Sequence, residues 1–228
     1  MAIWGWLPPA FRPGALFLGS RELDSAPIGF PSSNGVYVMA RTEVILRYAD
    51  YAALPPDGRR YELHRGELVV TAAPSPLHQT VAANLYRLLY PTVRARQGRV
   101  FVAPPDVILD DTTVVQPDVV FLDADRLTAI TSRGIEGPPT LAVEVLSPAT
   151  ATMDRRTKRQ LYARYQVPSL WLIDPEARTL EAYVLRSPEG YQIAVQASGD
   201  ATVTAPPFPD FALRLADLWE GAELPDRS

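Results

Sequence analysis

The amino-acid sequence predicts an α/β fold, a mixed central β-sheet flanked by helices, and three features carry that expectation. Short apolar runs bounded by Pro, Gly and Asp mark strands, two longer stretches have apolar residues at a helical period, and the two kinds alternate as strand, hairpin, strand, helix, strand. At 228 residues, 47% of them hydrophobic and 21% charged, the chain is long enough for one sizeable domain whose core needs no staples.

Taken in order, residues 1–38 are rich in Pro, Gly and Trp without either period, and read as an irregular N-terminal extension. The regular pattern begins at Met39, which is a candidate start of synthesis, so the domain is expected over 39–228. From Thr42, "TEVILRYADYAAL" is a short helix with a threonine N-cap, closed by Pro55-Pro56-Asp57-Gly58. "RYELHRGELVVTAA" alternates about His64-Arg65-Gly66-Glu67, a hairpin signal that places Glu62 on one strand and Glu67 near the turn. "LHQTVAANLYRLLYPTVRARQG" carries Val81, Leu85, Leu88 and Leu89 on one face, a long amphipathic helix bent or divided at Pro91 and ended by Gly98. "RVFVAPPDVILDD" and "TVVQPDVVFLD" read as two strands joined across Asp110 to Thr113.

"DADRLTAITSRGIEGPP" is a polar connection leading to a strand over 140–146. "ATMDRRTKRQLYARYQV" is helical, with Leu161 and Tyr165 at i, i+4 and a charged opposite face. Strands in "SLWLIDPEARTLEAYVL" and "GYQIAVQA", separated by a turn at Asp174 to Ala177, precede a short helical "LADLWE".

Composition limits the chemistry. Without cysteine, disulfides and thiolate metal sites are excluded, and with only His64 and His78 a histidine zinc site is not expected. Any metal would be held by oxygen, which points to Mg²⁺ or Mn²⁺. The opening residues lack a basic region and a long apolar stretch, so no signal peptide or membrane span is expected and a cytoplasmic location follows by default. A net charge of -4 gives no global attraction to nucleic acid, so contact with DNA must rest on a local patch. Of 22 Lys and Arg residues, Lys158 is the only lysine, and the two side chains are not interchangeable.

One residue raises the question of function. In "LAVEVLSPAT", Glu144 interrupts an apolar run that suits a buried strand, and a buried carboxylate without a partner costs several kcal/mol. Asp118 opens the apolar run of "QPDVVFL", so the two acids, on adjacent strands, can converge on one divalent cation. Lys158 lies on the helix that follows the Glu144 strand, where it can position or activate water and stabilise developing charge.

The succession "PDVV", "VEVLSP" and a helix with "MDRRTKRQLY" resembles the PD-(D/E)XK nuclease superfamily, and within it the Uma-type family of restriction endonucleases. The resemblance extends upstream to "DGRRYELHRGELVV" and "APSPLHQ", downstream to "YQVPSLWLIDPEARTLEAY", and covers 39–220. It implies a restriction-endonuclease-like core and a Mg²⁺- or Mn²⁺-dependent endonuclease that hydrolyses phosphodiester bonds in DNA. Asp118 would be the acid of the PD element and Glu144 that of the second, both metal ligands. The superfamily's lysine stands two residues after the second acid, where this chain has Leu146. In Uma-type proteins it has moved to the following helix, the place of Lys158. Glu62 matches an acid that helps to hold the metal or its water.

Each assignment has a structural alternative. Asp118 can cap its strand after Pro117, Glu144 can pair with Arg155 or Arg156, and Lys158 can belong to a solvated face with Arg155, Arg156 and Arg159. Those arginines, with Arg164, are equally a candidate phosphate-binding face, and His78 is a candidate phosphate contact at a helix start. Asp154 suits an N-cap, Asp106 and Asp110 suit turns and sheet edges, and Tyr162 is placed to orient Lys158 or to pack. As a whole, the chain can instead be an inactive nuclease-fold module that binds nucleic acid or protein. A homodimer joined through a sheet edge, or through Trp4 and Trp6, would place two sites across a duplex.

Overall fold

The computed structural model describes residues 44–71, 73–102, 105–147, 154–186 and 190–222, so the extension over 1–38 lies outside it. The first helix, α1 (Tyr48–Ala52), starts later than its sequence suggests. Leu46 donates its N–H to the carbonyl of Gly66 and Tyr48 donates to that of Asp111, which ties the preceding residues to a neighbouring hairpin in extended form. Asp50, rather than a threonine, caps the helix by accepting the N–H of Arg47 at 2.8 Å.

Strands β1 (Arg60–His64) and β2 (Glu67–Thr71) form the expected hairpin. Its two turn residues, Arg65 and Gly66, have φ of 55° and 89°, the hand of turn that matches strand twist. Gly66 is required twice over, since a Cβ there would lie 2.4 Å from Ile45 Cγ2.

Helix α2 (Pro76–Ala95) opens with Ser75, whose hydroxyl accepts the N–H of His78, and with proline at its first position. It runs undivided through Pro91. That proline and Arg87, whose carbonyl loses its donor, are both exposed, so water can satisfy the carbonyl. Val81, Ala82, Leu85, Leu89 and Val93 form its buried face. The left-handed residue that ends it is Gln97, at φ 57°, and not Gly98. Gly98 serves close approach instead, because a Cβ would meet the carbonyl oxygen of Leu122 at 2.6 Å and the Phe121 ring at 2.8 Å.

The two long β runs that follow each divide. The first gives β3 (Arg99–Val102) and β4 (Val107–Asp110), the second β5 (Thr113–Val115) and β6 (Val119–Leu122). Prolines, which lack an N–H for the ladder, stand between the halves at Pro105 and Pro117. β4 and β5 pair across Asp110 to Thr113 as expected, while β3 pairs with β6 in another sheet. The polar connection contains a 3-10 turn and the short strands β7 (Ile130–Thr131) and β8 (Gly134–Glu136).

Next come β9 (Leu141–Val145), a π-helical turn (Asp154–Lys158), α3 (Arg159–Arg164), β10 (Ser169–Asp174), β11 (Thr179–Arg186) and β12 (Gly190–Ser198). A hairpin the sequence reading lacks, β13 (Thr202–Ala205) and β14 (Phe208–Arg214), leads to a 3-10 turn at Leu215–Leu218. Among the described residues no helix is long and apolar enough to cross a membrane.

The central sheet has the order β12-β11-β10-β9-β6-β3 and is mixed, with β9 and β10 parallel and the other neighbours antiparallel. A second mixed sheet, β2-β1-β5-β4-β8-β7, takes strands that a single-sheet reading assigns to the first. Strand alternation distributes the core. Leu141, Val143, Val145, Trp171 and Ile173 pack with α2, whereas Ala142, Leu170 and Leu172 pack with Leu161 and Tyr162 of α3 and with Val107, Val115 and Ile135 of the second sheet. Helices therefore cover both faces, and the second sheet closes on the side where Glu144 projects.

Candidate active site

Strand β1 has two faces set by its period of two. Leu63 is buried among Ile108 and Val114. Arg60, Glu62 and His64 share the opposite face, and each of them bonds within one polar cluster. The cluster is completed by Glu144 from β9, by Asp118 at the mouth of β6, by Lys158 and Tyr162 around the start of α3, and by His78 from the first turn of α2.

Lys158 is the centre of one half. Its Nζ donates to Glu62 Oε1 at 3.1 Å and to Glu144 Oε2 at 3.0 Å, and the residue is only 4% exposed. It stands on the last residue of the π-helical turn, away from the solvated face that its arginine neighbours suggest. Tyr162 donates its hydroxyl to Glu144 Oε1 at 2.6 Å, so it holds the acid rather than the ammonium. Glu62 also accepts the backbone N–H of Gln116 at 2.9 Å on Oε1, and lies 2.7 Å from His64 Nε2 through Oε2. Burial pushes the Glu62 carboxyl up, but Lys158, His64 and the Gln116 N–H outweigh it and bring it down to about 2.

Asp118 anchors the other half. Its N–H donates to the carbonyl of Val143, and its Oδ2 accepts the N–H of Val145 at 2.9 Å, which ties the acid directly beside Glu144. Oδ2 also lies 3.1 Å from His78 Nε2. Oδ1 faces Arg60 at 3.6 Å, beyond hydrogen-bond reach. Arg60 is itself steadied by the carbonyl of Gln116 at 3.0 Å, and the Gln116 amide donates to Asp106, which Tyr51 also bonds. Asp110 has a turn role, accepting from Thr112 at 2.7 Å.

Of the arginines proposed to meet phosphate, Arg155 is committed to Glu181 at 2.6 Å, and Arg159 lies over the Tyr183 ring. Arg156 is exposed. The side chain of Asp154 lies outside the described ones. His64 and Arg60 escaped the sequence reading, although "RYELH" carries their signal as polar residues at every second position.

Among the described residues no three acids or histidines converge as a ready-made metal cage. The donors fit a hard cation by type, since Mg²⁺ is held by one or two carboxylates and completes its shell with water and substrate oxygen. Asp118 Oδ1, with no donor closer than Arg60 among the described residues, keeps acceptor capacity for one.

Residues 48–216 match the model of the Uma2 family, described as "Putative restriction endonuclease". The chain belongs to that family. Uma2 membership supports a nuclease function for the chain. The fold is shared with a crystal structure from Anabaena variabilis, titled a "putative nuclease belonging to DUF820", at 19% identity and a TM-score of 0.64, covering 78% of this chain and 99% of that one. The type IIG restriction endonuclease BpuSI aligns at 14% identity with a TM-score of 0.36, over 68% of this chain and 17% of its own. A search among curated proteins gives no match.

Proposed function

We propose that this Uma2 protein is a metal-dependent endonuclease that hydrolyses phosphodiester bonds in DNA in the cytoplasm. The observation that carries the reading is the position of the only lysine, buried between two carboxylates from two different sheets, with a third acid, Asp118, bonded to the backbone next to Glu144 and its Oδ1 beyond hydrogen-bond reach of any donor among the described residues. Evolutionary drift on a solvated face does not account for a charge so enclosed, because burying it demands partners on every side.

Asp118 and Glu144 would hold Mg²⁺ or Mn²⁺, which when bound polarises a phosphoryl oxygen and favours ionisation of an attacking water. The chain's own groups do the rest. Lys158, an ammonium aimed by Glu62 and Glu144, donates to oxygen that gains charge as the water attacks phosphorus and the P–O bond breaks. Tyr162 fixes the direction of Glu144, and His78 and the Val145 N–H fix that of Asp118. The exposed Arg156, with Arg159, supplies a local basic face that an acidic chain needs to approach a duplex. Two copies would present two sites, and light scattering after size exclusion reads that stoichiometry.

The test is cleavage of plasmid and short single-stranded DNA with Mn²⁺, run beside calorimetric titration of the ion. Intact protein should cut and bind Mn²⁺, and Asp118→Asn and Glu144→Gln should lose both while remaining folded. Equal ion binding and cleavage in all three would refute the assignment. Protein that binds DNA but neither ion nor cuts would instead be a binding module, the reading that Leu146 in the superfamily's lysine position favours.

A further inference from the structure

We infer that His64 is a positioning residue that fixes Lys158 by locking the carboxylate of Glu62. The inference rests on the reading of Lys158 as the group that meets developing charge, and it adds a residue that the resemblance does not assign.

The chain has two histidines, and both are buried against acids of the cluster: His78 on Asp118 and His64 on Glu62. His64 is reached by the alternation of β1, which sets Glu62 and His64 on one face two residues apart. Glu62 takes two donors on Oε1, the Lys158 ammonium and the Gln116 N–H, as an ionised carboxylate does, and a carboxylate only accepts, so His64 Nε2 carries the proton of their 2.7 Å bond.

The two oxygens of Glu62 have separate tasks. Oε1 receives Lys158 and the Gln116 N–H, and among the described residues His64 alone serves Oε2. Rotation about the last torsion of a glutamate is intrinsically soft. A donor on each oxygen, one from β1 and one from the Gln116 backbone, removes that freedom and fixes the point at which Oε1 meets the ammonium. Lysine has four flexible carbons and gains its position from what it touches. Without His64, Oε2 stays buried with no donor, the carboxylate can turn, and the ammonium loses its fixed seat between Glu62 and Glu144.

Because Lys158 is the only lysine, protein grown on ¹⁵N- and ¹³C-labelled lysine gives one side-chain signal, and that signal reports this residue with no reference to activity. The intact protein should show a single Nζ signal with slow hydrogen exchange. His64→Leu should abolish that protection and shift the Cε resonance. His64→Gln should restore both, since its amide nitrogen can take the place of Nε2. If His64→Leu does not fold, His64→Asn replaces it, because its shorter amide mimics Nδ1 and does not reach Oε2. In cleavage assays kcat should fall about 10- to 100-fold with KM little changed, as when a second-layer partner is lost, and His64→Gln should recover it. A lysine signal that His64→Leu or His64→Asn leaves unchanged, or that His64→Gln fails to restore, overturns the inference. If the intact chain cuts no nucleic acid while the signal follows this pattern, the nuclease reading falls and the positioning of Lys158 by His64 stands.

Discussion

Replacing Lys158 with methionine isolates its charge. The two side chains are close in length, so Lys158→Met preserves the packing beside Tyr162 while removing the ammonium that lies 3.0 Å from Glu144 and 3.1 Å from Glu62. Both acids are almost wholly buried, at 2% and 1% exposure, and neither can turn to water. Deleting one partner of a buried ion pair costs about 3–5 kcal/mol, mostly from the charge left behind. Here two carboxylates are left behind, but each keeps donors, Tyr162 for Glu144 and His64 and Gln116 for Glu62. A loss of about 3–5 kcal/mol at pH 7 is therefore the expectation, and not twice that. Urea unfolding followed by the fluorescence of Trp171 and Trp219, both in the core, measures it. The double variant Lys158→Met/Glu62→Gln removes one stranded charge and should recover about 0.5–3 kcal/mol, the coupling seen between residues of one network. A change in stability within about 0.5 kcal/mol, the range of ordinary surface substitutions, would refute the reasoning. For the variant that folds, kcat for DNA cleavage should fall about 100- to 1,000-fold, the cost of losing one donor to a developing negative charge.

The acid limb of the stability curve should carry the signature of Glu62. Its folded pKa is depressed from 4.5 to about 2, so its contribution is complete above pH 4.5 and disappears as pH falls through about 2; the difference in unfolding free energy between intact protein and Glu62→Gln, measured across that range, should shrink accordingly. Tyr162→Phe removes only the hydroxyl that donates to Glu144, and should cost about 1.5–3 kcal/mol in urea unfolding, as for a hydrogen bond to a charged group. Gly98→Ala forces a methyl group against the Leu122 carbonyl and the Phe121 ring, and should destabilise by about 1–3 kcal/mol without altering Mn²⁺ affinity by calorimetry.

Much of this architecture was legible because local chemistry and tertiary structure agree. The β1–β2 hairpin, the amphipathic α2 and the buried strand around Glu144 each follow from period and turn residues alone. The failures have physical causes. Thr42 looks like an N-cap, yet the backbone before α1 bonds to the carbonyls of Gly66 and Asp111, contacts that no local pattern encodes. The runs "RVFVAPPDVILDD" and "TVVQPDVVFLD" are continuous in hydrophobicity, and only the prolines reveal that each supplies strands to two sheets. The sequence gives Glu144 a cation shared with Asp118, or Arg155 or Arg156, as its partner; in the structure Lys158 and Tyr162 meet it, and Glu62 clasps the same ammonium, contacts that depend on sheet packing. The polar alternation of "RYELH" was available and would have marked Arg60 and His64 along with Glu62.

The division into two sheets accounts for how Lys158 is held beside Glu144. Two residues after the second acid, a lysine would sit on β9's own face and need only that strand to hold it. Leu146 occupies that position and is buried in the hydrophobic cluster with Leu161 and Tyr162, so the site has to be supplied from elsewhere. Lys158 reaches Glu144 from the start of the next helix, on a π-helical turn rather than a strand, so a brace from a second element adds to its hold. Glu62 supplies that brace from β1, and Gln116, just ahead of Asp118 in sequence, ties the brace to the third acid's strand. Lys158 is thus constrained from a distance, through Glu62, and the second sheet holds that constraint in place. Loosening β1 at the Arg65-Gly66 turn should therefore disturb Lys158 more than an equal change in the β13–β14 hairpin, which pairs apart from both sheets. The single lysine signal can read that difference directly.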